Sequence, residues 1–268
     1  MLCLLGVGIY LFLRSGGPAP SGPLPHLTDP VPVTPTPVLE EEPPPPMAAE
    51  PVHEELEAEP KAEGRPETVL PALDKSDSLV RELASQLSSH PKLTAWLMPE
   101  GLIRRAAAVI ANVAEGASPA NHLPFLAPES PFSVMETEKG LFLDPVCYER
   151  YNRVAEVFAS LQPQGTAAFY ATVKPLLDQA YHDLGYPDED FDDALLQAMI
   201  YLLEVPILTG QVALSPLVLN YEFTDPELEG LSPAQRHFLR MGPRNVKRVQ
   251  AKLRELAPAL GIPRDHLP

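Results

Sequence analysis

The stretch LSPAQRHFLRMGPRNVKRVQAKLREL, residues 231–256, decides the fold class because it carries the start and stop signals of two consecutive helices. Ser232 is a typical N-cap residue, and Pro233 follows it at the first helical position. Gly242 is a typical helix-ending residue, and Pro243 opens the next helix. The order of these signals predicts two helices joined by a tight turn.

The second of these helices is predicted to be amphipathic and basic. Its apolar residues recur at helical spacing and predict a buried stripe, formed by Val246, Val249, Leu253 and Leu256. The basic residues on the other side, here called the basic face, are Arg244, Lys247, Arg248 and Arg254. We predict that the basic face is the partner-binding surface, because a positive patch on an acidic protein can steer and orient an acidic partner.

Helical periodicity also dominates the rest of residues 70–261. Apolar side chains recur three and four positions apart in the predicted helices, which cover residues 77–87, 91–98, 100–115, 144–151, 152–161, 163–184 and 191–203. Pro175 falls inside one of them and predicts a kink near Lys174. The fold class is therefore mainly α, with one globular domain over residues 70–261 and a short tail over residues 262–268.

A small β element interrupts the helical pattern. Two pairs of apolar residues spaced two apart, Phe132 with Val134 and Leu141 with Leu143, flank a turn that ends at Gly140, which predicts a short β-hairpin. Residues 211–223 are the other candidate strand region. Pro216 lies inside that region and predicts an interrupted ladder, because proline has no N–H to donate.

The first thirteen residues, MLCLLGVGIYLFL, form an uncharged apolar run that ends at Arg14. Such a run spans only about 20 Å as a helix, whereas a bilayer core of about 30 Å needs about twenty residues. No basic residue precedes the run, which argues against a cleaved signal peptide. We therefore expect residues 1–14 to be a transmembrane anchor whose upstream end precedes this sequence, although Arg14 argues weakly against export of the chain on its C-terminal side.

Residues 15–69 are rich in proline and glutamate and hold nearly half of the chain's 34 prolines. Proline removes backbone donors and like charges repel, so this composition predicts a disordered linker with polyproline II character. We interpret the linker as a passive tether. The alternative is a docking site for proline-binding modules, which the run Pro43 to Pro46 suggests only weakly.

Four segments in this order resemble the bacterial envelope family catalogued as domain of unknown function 3014 (DUF3014). They are DKSDSLVREL, WLMPEGLIRR, GYPDEDFDDALL and the stretch of residues 231–256, and the resemblance spans about residues 70–256. It implies a membrane segment, a proline-rich spacer and a helical domain in Gram-negative bacteria. We accordingly expect an inner-membrane protein with its C-terminal domain in the periplasm. The resemblance implies no activity and supplies no catalytic residues.

The acidic cluster, residues 188–193, resembles the start of a calcium-binding loop. The match fails further on, because Asp193 stands where the loop needs glycine and Met199 where it needs glutamate. We interpret the cluster as the capped, dipole-stabilised N-terminus of the helix over residues 191–203. The weak alternative is a metal site formed by Asp188, Asp190 and Asp192.

Cys147 is the cysteine outside the apolar run, and His182 and His237 are conceivable bases for it. A lone cysteine between apolar neighbours is usually a small buried group, so we predict no nucleophile. The sequence contains no G-x-S-x-G, phosphate-loop or H-E-x-x-H motif. We therefore predict no catalytic residue and no cofactor.

The net charge of −16 disfavours nucleic acid as a partner. The sequence thus predicts a membrane-tethered, non-catalytic binding or scaffolding module, with an envelope protein or an anionic polymer as its partner. The alternative is an envelope hydrolase that uses the acidic cluster with a metal.

Overall fold

The structure is a computed structural model and describes residues 70–128, 130–218 and 220–268. The predicted anchor and the predicted linker, residues 1–69, lie outside the described residues. Within the three described ranges, no helix has the length and apolar character needed to cross a membrane.

Most of the described chain is helical, as the sequence predicts. The α-helices are α1 (Asp77–Ser85), α2 (Lys92–Trp96), α3 (Leu102–Ala114), α4 (Asn152–Ala159), α5 (Pro163–Asp183), α6 (Phe191–Leu203), α7 (Pro226–Glu229), α8 (Pro233–Leu239) and α9 (Pro243–Ala259). Short 3₁₀ helices cover Leu73–Lys75, Ala120–His122, Pro124–Leu126, Pro145–Tyr151 and Arg264–His266. Pro175 lies inside α5, which continues through it to Asp183.

Side-chain hydrogen bonds cap the first turns of α8 and of the 3₁₀ helix Pro145–Tyr151, where the sequence signals place them. Ser232 Oγ accepts from the Gln235 N–H at 3.2 Å, and Gln235 Oε1 accepts from the Ser232 N–H at 3.2 Å, which completes a capping box at α8. Asp144 accepts from the Val146 N–H at 3.0 Å. The helix predicted over residues 144–151 is present as a 3₁₀ helix from Pro145 to Tyr151.

Four strands form one antiparallel sheet in the order β1 (Val134–Thr137), β2 (Gly140–Leu143), β3 (Ala213–Pro216) and β4 (Tyr221–Phe223). The predicted hairpin is β1 and β2, but it is only half of the sheet, because β3 pairs with β2 and β4 with β3. Pro216 is tolerated since it lies at the end of β3, beyond Leu214, which pairs with Leu141 of β2.

The core is built around α3, which packs against α5 and α6, while α9 packs against α4 and α5. Leu102 and Val109 of α3 are fully buried. All four residues of the predicted apolar stripe of α9 are at most 5% exposed. The amphipathic character predicted for this helix is therefore confirmed, and its other side is available for polar contacts.

Candidate functional site

The four residues of the basic face differ in their contacts. Arg244 and Lys247 are exposed. Arg248 Nη1 forms an ion pair with Glu156 Oε1 of α4 at 3.2 Å. Arg254 Nη2 donates to the Pro268 carbonyl at 3.3 Å. Arg254 is exposed as well, so the exposed cations of the face are Arg244 and Lys247 in the first half of α9 and Arg254 in the second.

A second set of polar residues in α8 and α9 is buried. Gln235, Asn245, Gln250 and Lys252 are at most 9% exposed, and each donates to backbone carbonyls of neighbouring segments. Lys252 Nζ donates to the Leu161 carbonyl at 3.0 Å and pairs with Glu255 at 2.6 Å. These residues join α9 to the rest of the core, so charge alone does not identify the partner-facing residues of this helix.

The acidic cluster caps α6 and forms ion pairs with α5. Asp190 Oδ1 accepts from the Asp192 N–H at 2.8 Å and lies 3.1 Å from Lys174 Nζ. The backbone hydrogen bond from Asp192 and the ion pair with Lys174 lower the pKa of Asp190. Asp192 accepts a hydrogen bond from the Tyr170 hydroxyl, and Asp188 is exposed. Within residues 70–128, 130–218 and 220–268, no group of three or more His, Cys, Asp or Glu residues could hold a metal ion.

Cys147 is 4% exposed and forms hydrogen bonds with Ser133. Its Sγ accepts from the Ser133 N–H at 3.0 Å and donates to the Ser133 carbonyl at 3.2 Å. His237 bonds through Nδ1 with Ser118 Oγ, and His182 is exposed. Cys147 and His237 thus bond to different serines and not to each other. This arrangement is expected for a buried structural thiol.

A small pocket, here called the Arg240 pocket, lies between the segment after α3, the β3–β4 turn and α8. Its volume is about 210 Å³. The residues that matter for its chemistry are Ser118, Leu217, Asn220, Arg236, His237 and Arg240. The sequence did not predict this pocket, because its walls come from segments about 100 residues apart in the chain.

Two guanidinium groups and two carboxylates, those of Arg236, Arg240, Glu222 and Glu229, line the Arg240 pocket. Arg236 forms an ion pair with Glu229 and also donates to the Glu229 carbonyl at 3.0 Å. Arg240 Cζ lies 5.3 Å from the centroid of the Phe223 ring. Burial lowers the pKa of Arg240 to about 10, with Tyr151 opposing and the guanidinium groups of Arg236 and Arg150 adding to the decrease. Burial is thus the main cause of this shift, and the positive charges of the pocket lie beside the carboxylates of Glu222 and Glu229.

The pair of Ser118 and His237 has the atoms of a nucleophile and a base, separated by 2.7 Å. Burial, with smaller contributions from Arg240 and Arg236, lowers the pKa of His237 to about 3. A general base works best when its pKa lies near the working pH, so His237 would be a very weak base at neutral pH. We interpret this pair as a neutral polar wall of the Arg240 pocket.

The fold and these sites define an α-rich domain with a small antiparallel sheet, in which the acidic cluster serves helix capping and ion pairing. The chain belongs to the family described as Protein of unknown function (DUF3014), whose profile matches residues 102–257, more than half of the 268 residues. The family prediction is therefore confirmed. The matched range begins later than the resemblance, so the segment DKSDSLVREL lies outside it. No curated protein and no solved structure matches the chain.

Proposed function

We propose that this chain is a non-catalytic binding or scaffolding module of the bacterial envelope. Residues 1–14 would anchor it in the inner membrane, and residues 15–69 would hold the helical domain away from the bilayer, in the periplasm. The exposure of Arg244 and Lys247 carries the binding role. Both belong to the predicted basic face.

The position of these two cations in α9 supports a role outside folding. Arg244 is in the first turn of the helix, which begins at Pro243, and Lys247 is one turn further on. Positive charge near a helix N-terminus opposes the helix dipole, at a cost of a few tenths of a kcal/mol. Helix stability therefore gives no reason for cations here, whereas attraction of an acidic partner does.

The contacts of the acidic cluster favour the non-catalytic proposal over a metal-dependent hydrolase. Asp190 and Asp192 already bond to Lys174 and Tyr170, and Asp190 also caps α6. A metal at this position would have to compete with the Lys174 ammonium group. We accordingly propose an acidic protein surface or an anionic polymer as the partner.

Reversing two charges of the basic face should reduce partner capture without unfolding the domain. In cells that express full-length Arg244→Glu/Lys247→Glu, crosslinking and affinity capture should recover much less partner than the native chain does. The melting temperature should stay equal or rise slightly, because glutamate near the start of α9 complements its dipole. Raising the salt concentration should weaken capture by the native chain in the same way.

Lys139→Glu is the matched control for this experiment, because Lys139 is an exposed cation in the β1–β2 turn. It should leave capture unchanged. If the double reversal retains every crosslinked partner, the basic face is only a solvated surface and the binding proposal fails.

The membrane proposal predicts where a reporter fused after Pro268 works. An alkaline phosphatase fusion should be active and should sediment with the membranes, because phosphatase requires the oxidising periplasm for its disulfides. Deleting residues 1–14 should abolish both properties. A fusion that is active only with a cytoplasmic reporter would contradict the proposed orientation.

A further inference from the structure

The turn between β3 and β4 exposes two consecutive aliphatic side chains. Leu217 is 49% exposed, and Val218 is 98% exposed, the highest value among the large apolar residues of the three described ranges. Turns are usually made of Gly, Asn, Asp, Ser and Pro, which supply the backbone conformations and polar contacts that a turn needs. Folding therefore gives no reason for aliphatic side chains here, whereas adjoining exposed apolar residues are typical of an interaction site.

The β3–β4 turn lies at one end of the sheet, beside the β1–β2 turn. Leu141 of β2 pairs with Leu214 of β3, and the two strands are antiparallel. Gly140, where β2 begins, therefore lies beside the end of β3, so both hairpins turn at the same end of the sheet. We call Leu217 and Val218 the apolar tip, because they lie in the turn at this end and Val218 is almost fully exposed.

The chemistry of the apolar tip favours lipid over protein as its partner. Residues 214–221, LSPLVLNY, contain no charged residue. The Leu217 N–H donates to the Asn220 carbonyl at 2.8 Å, so a backbone donor that would be costly to leave free in hydrocarbon already has a partner. Leucine and valine are under-represented among the residues that dominate binding at protein interfaces, whereas both enter a bilayer favourably. An exposed aliphatic turn also needs no matching cavity among acyl chains.

We propose that the apolar tip inserts into the surface of a lipid bilayer, with Leu217 and Val218 packed among the acyl chains just below the head groups. Two aliphatic side chains bury little area, so insertion is weak and reversible and needs a tether that keeps the domain near the membrane. The inference therefore rests on the membrane anchoring proposed for residues 1–14. It does not involve the basic face, because salt weakens the capture of an acidic partner but not the insertion of an uncharged turn.

A fluorescent label at position 218 tests the insertion in the full-length protein. Val218→Cys is labelled with the environment-sensitive dye NBD in a Cys3→Ser background, in which the remaining thiol, that of Cys147, is buried. An N-terminal hexahistidine tag holds the chain on protein-free phosphatidylcholine vesicles that contain a nickel-chelating lipid. The tag tethers the domain whether or not residues 1–14 insert, so failure of the proposed anchor does not produce a negative result for the apolar tip.

The emission of the label should shift to shorter wavelength on the vesicles, and lipids that carry a nitroxide on the acyl chain should quench it, equally at low and high salt. Val146→Cys is the matched control, because Val146 is 64% exposed and follows the opposite end of β2. A label there should stay in water and unquenched. If the label at position 218 also stays in water, or if both positions are quenched equally, the proposal is wrong, and the apolar tip would instead fit a pocket of another protein.

Substitutions beside the label then assign the effect to the apolar tip. Leu217→Asp should lower the ratio of inserted to free label at least about tenfold, because a carboxylate is costly in hydrocarbon. Leu217→Met keeps an apolar side chain and should retain most of the quenching. Ile207→Asp, at another exposed apolar residue, is the control for the added charge and should leave the quenching unchanged. Quenching of Leu217→Asp as strong as that of the unsubstituted turn would refute insertion through this turn.

Discussion

Replacing Gly242 by alanine should destabilise the domain by about 3 kcal/mol or more, measured by urea unfolding of the full-length chain. Gly242 links α8 to α9 with φ 82° and ψ 160°, a conformation that is open almost only to glycine. A Cβ atom at this position would also lie closer than 3.0 Å to three atoms of the Tyr148 ring. The ring has little room to move, because Tyr148 packs against the core and its carbonyl accepts from Asn245.

Gly261→Ala is the control for Gly242→Ala. Gly261 also has φ 82°, but a Cβ atom there would meet nothing within 4 Å. This substitution should therefore cost only about 1 kcal/mol from backbone strain. Adding Tyr148→Ala to Gly242→Ala should restore part of the lost stability, because it removes the overlapping ring. Equal losses for the two glycine variants would show that the Tyr148 contact does not matter.

The sequence predicted the helices well because their signals are local. The capping box at Ser232 and Gln235 spans four residues, and the apolar stripe of α9 repeats within each turn. The sheet was predicted only in part. The β1–β2 hairpin is local, but β3 pairs with β2 across about 70 residues. Pro216 also made the strand β3 hard to recognise from the sequence. A proline interrupts a ladder only if it lies inside the strand, and the spacing of apolar residues in the sequence does not show where a strand ends.

The sites were harder to predict, because residues of one type have opposite environments. Lys247 and Lys252 both belong to the basic helix α9, yet Lys247 is exposed and Lys252 is 9% exposed. Lys252 is buried because its ammonium group donates to the carbonyl of Leu161, which follows α4. That partner is distant in the sequence, so the helical pattern of α9 does not indicate it. The Arg240 pocket needs Ser118 and His237 together, 119 residues apart. The only local sign of it is the spacing of Arg236 and Arg240, one turn apart near the end of α8.

Gln250 is a buried polar residue of α9 whose side chain bonds to the end of α6. Its side chain is 5% exposed, and Nε2 lies 3.0 Å from the Leu202 carbonyl, 3.2 Å from that of Leu203 and 2.8 Å from that of Val205. The last carbonyls of a helix have no partner inside the helix. Gln250 therefore supplies the missing donor at the C-terminus of α6, which ends at Leu203.

Gln250→Met keeps nearly the same shape but removes the donor, and it should destabilise the domain by about 2 to 4 kcal/mol. The reason is that water cannot replace the lost donor at a buried helix end, so carbonyls lose their partner at the full desolvation cost. Urea unfolding of the full-length chain measures the loss, and Gln211→Met, at an exposed position, should change stability by less than about 0.5 kcal/mol. Hydrogen exchange should show where the loss arises, because amides at the end of α6 should lose protection before those of α3. If Gln250→Met is as mild as Gln211→Met, other donors satisfy the end of α6 and Gln250 does not join the two helices.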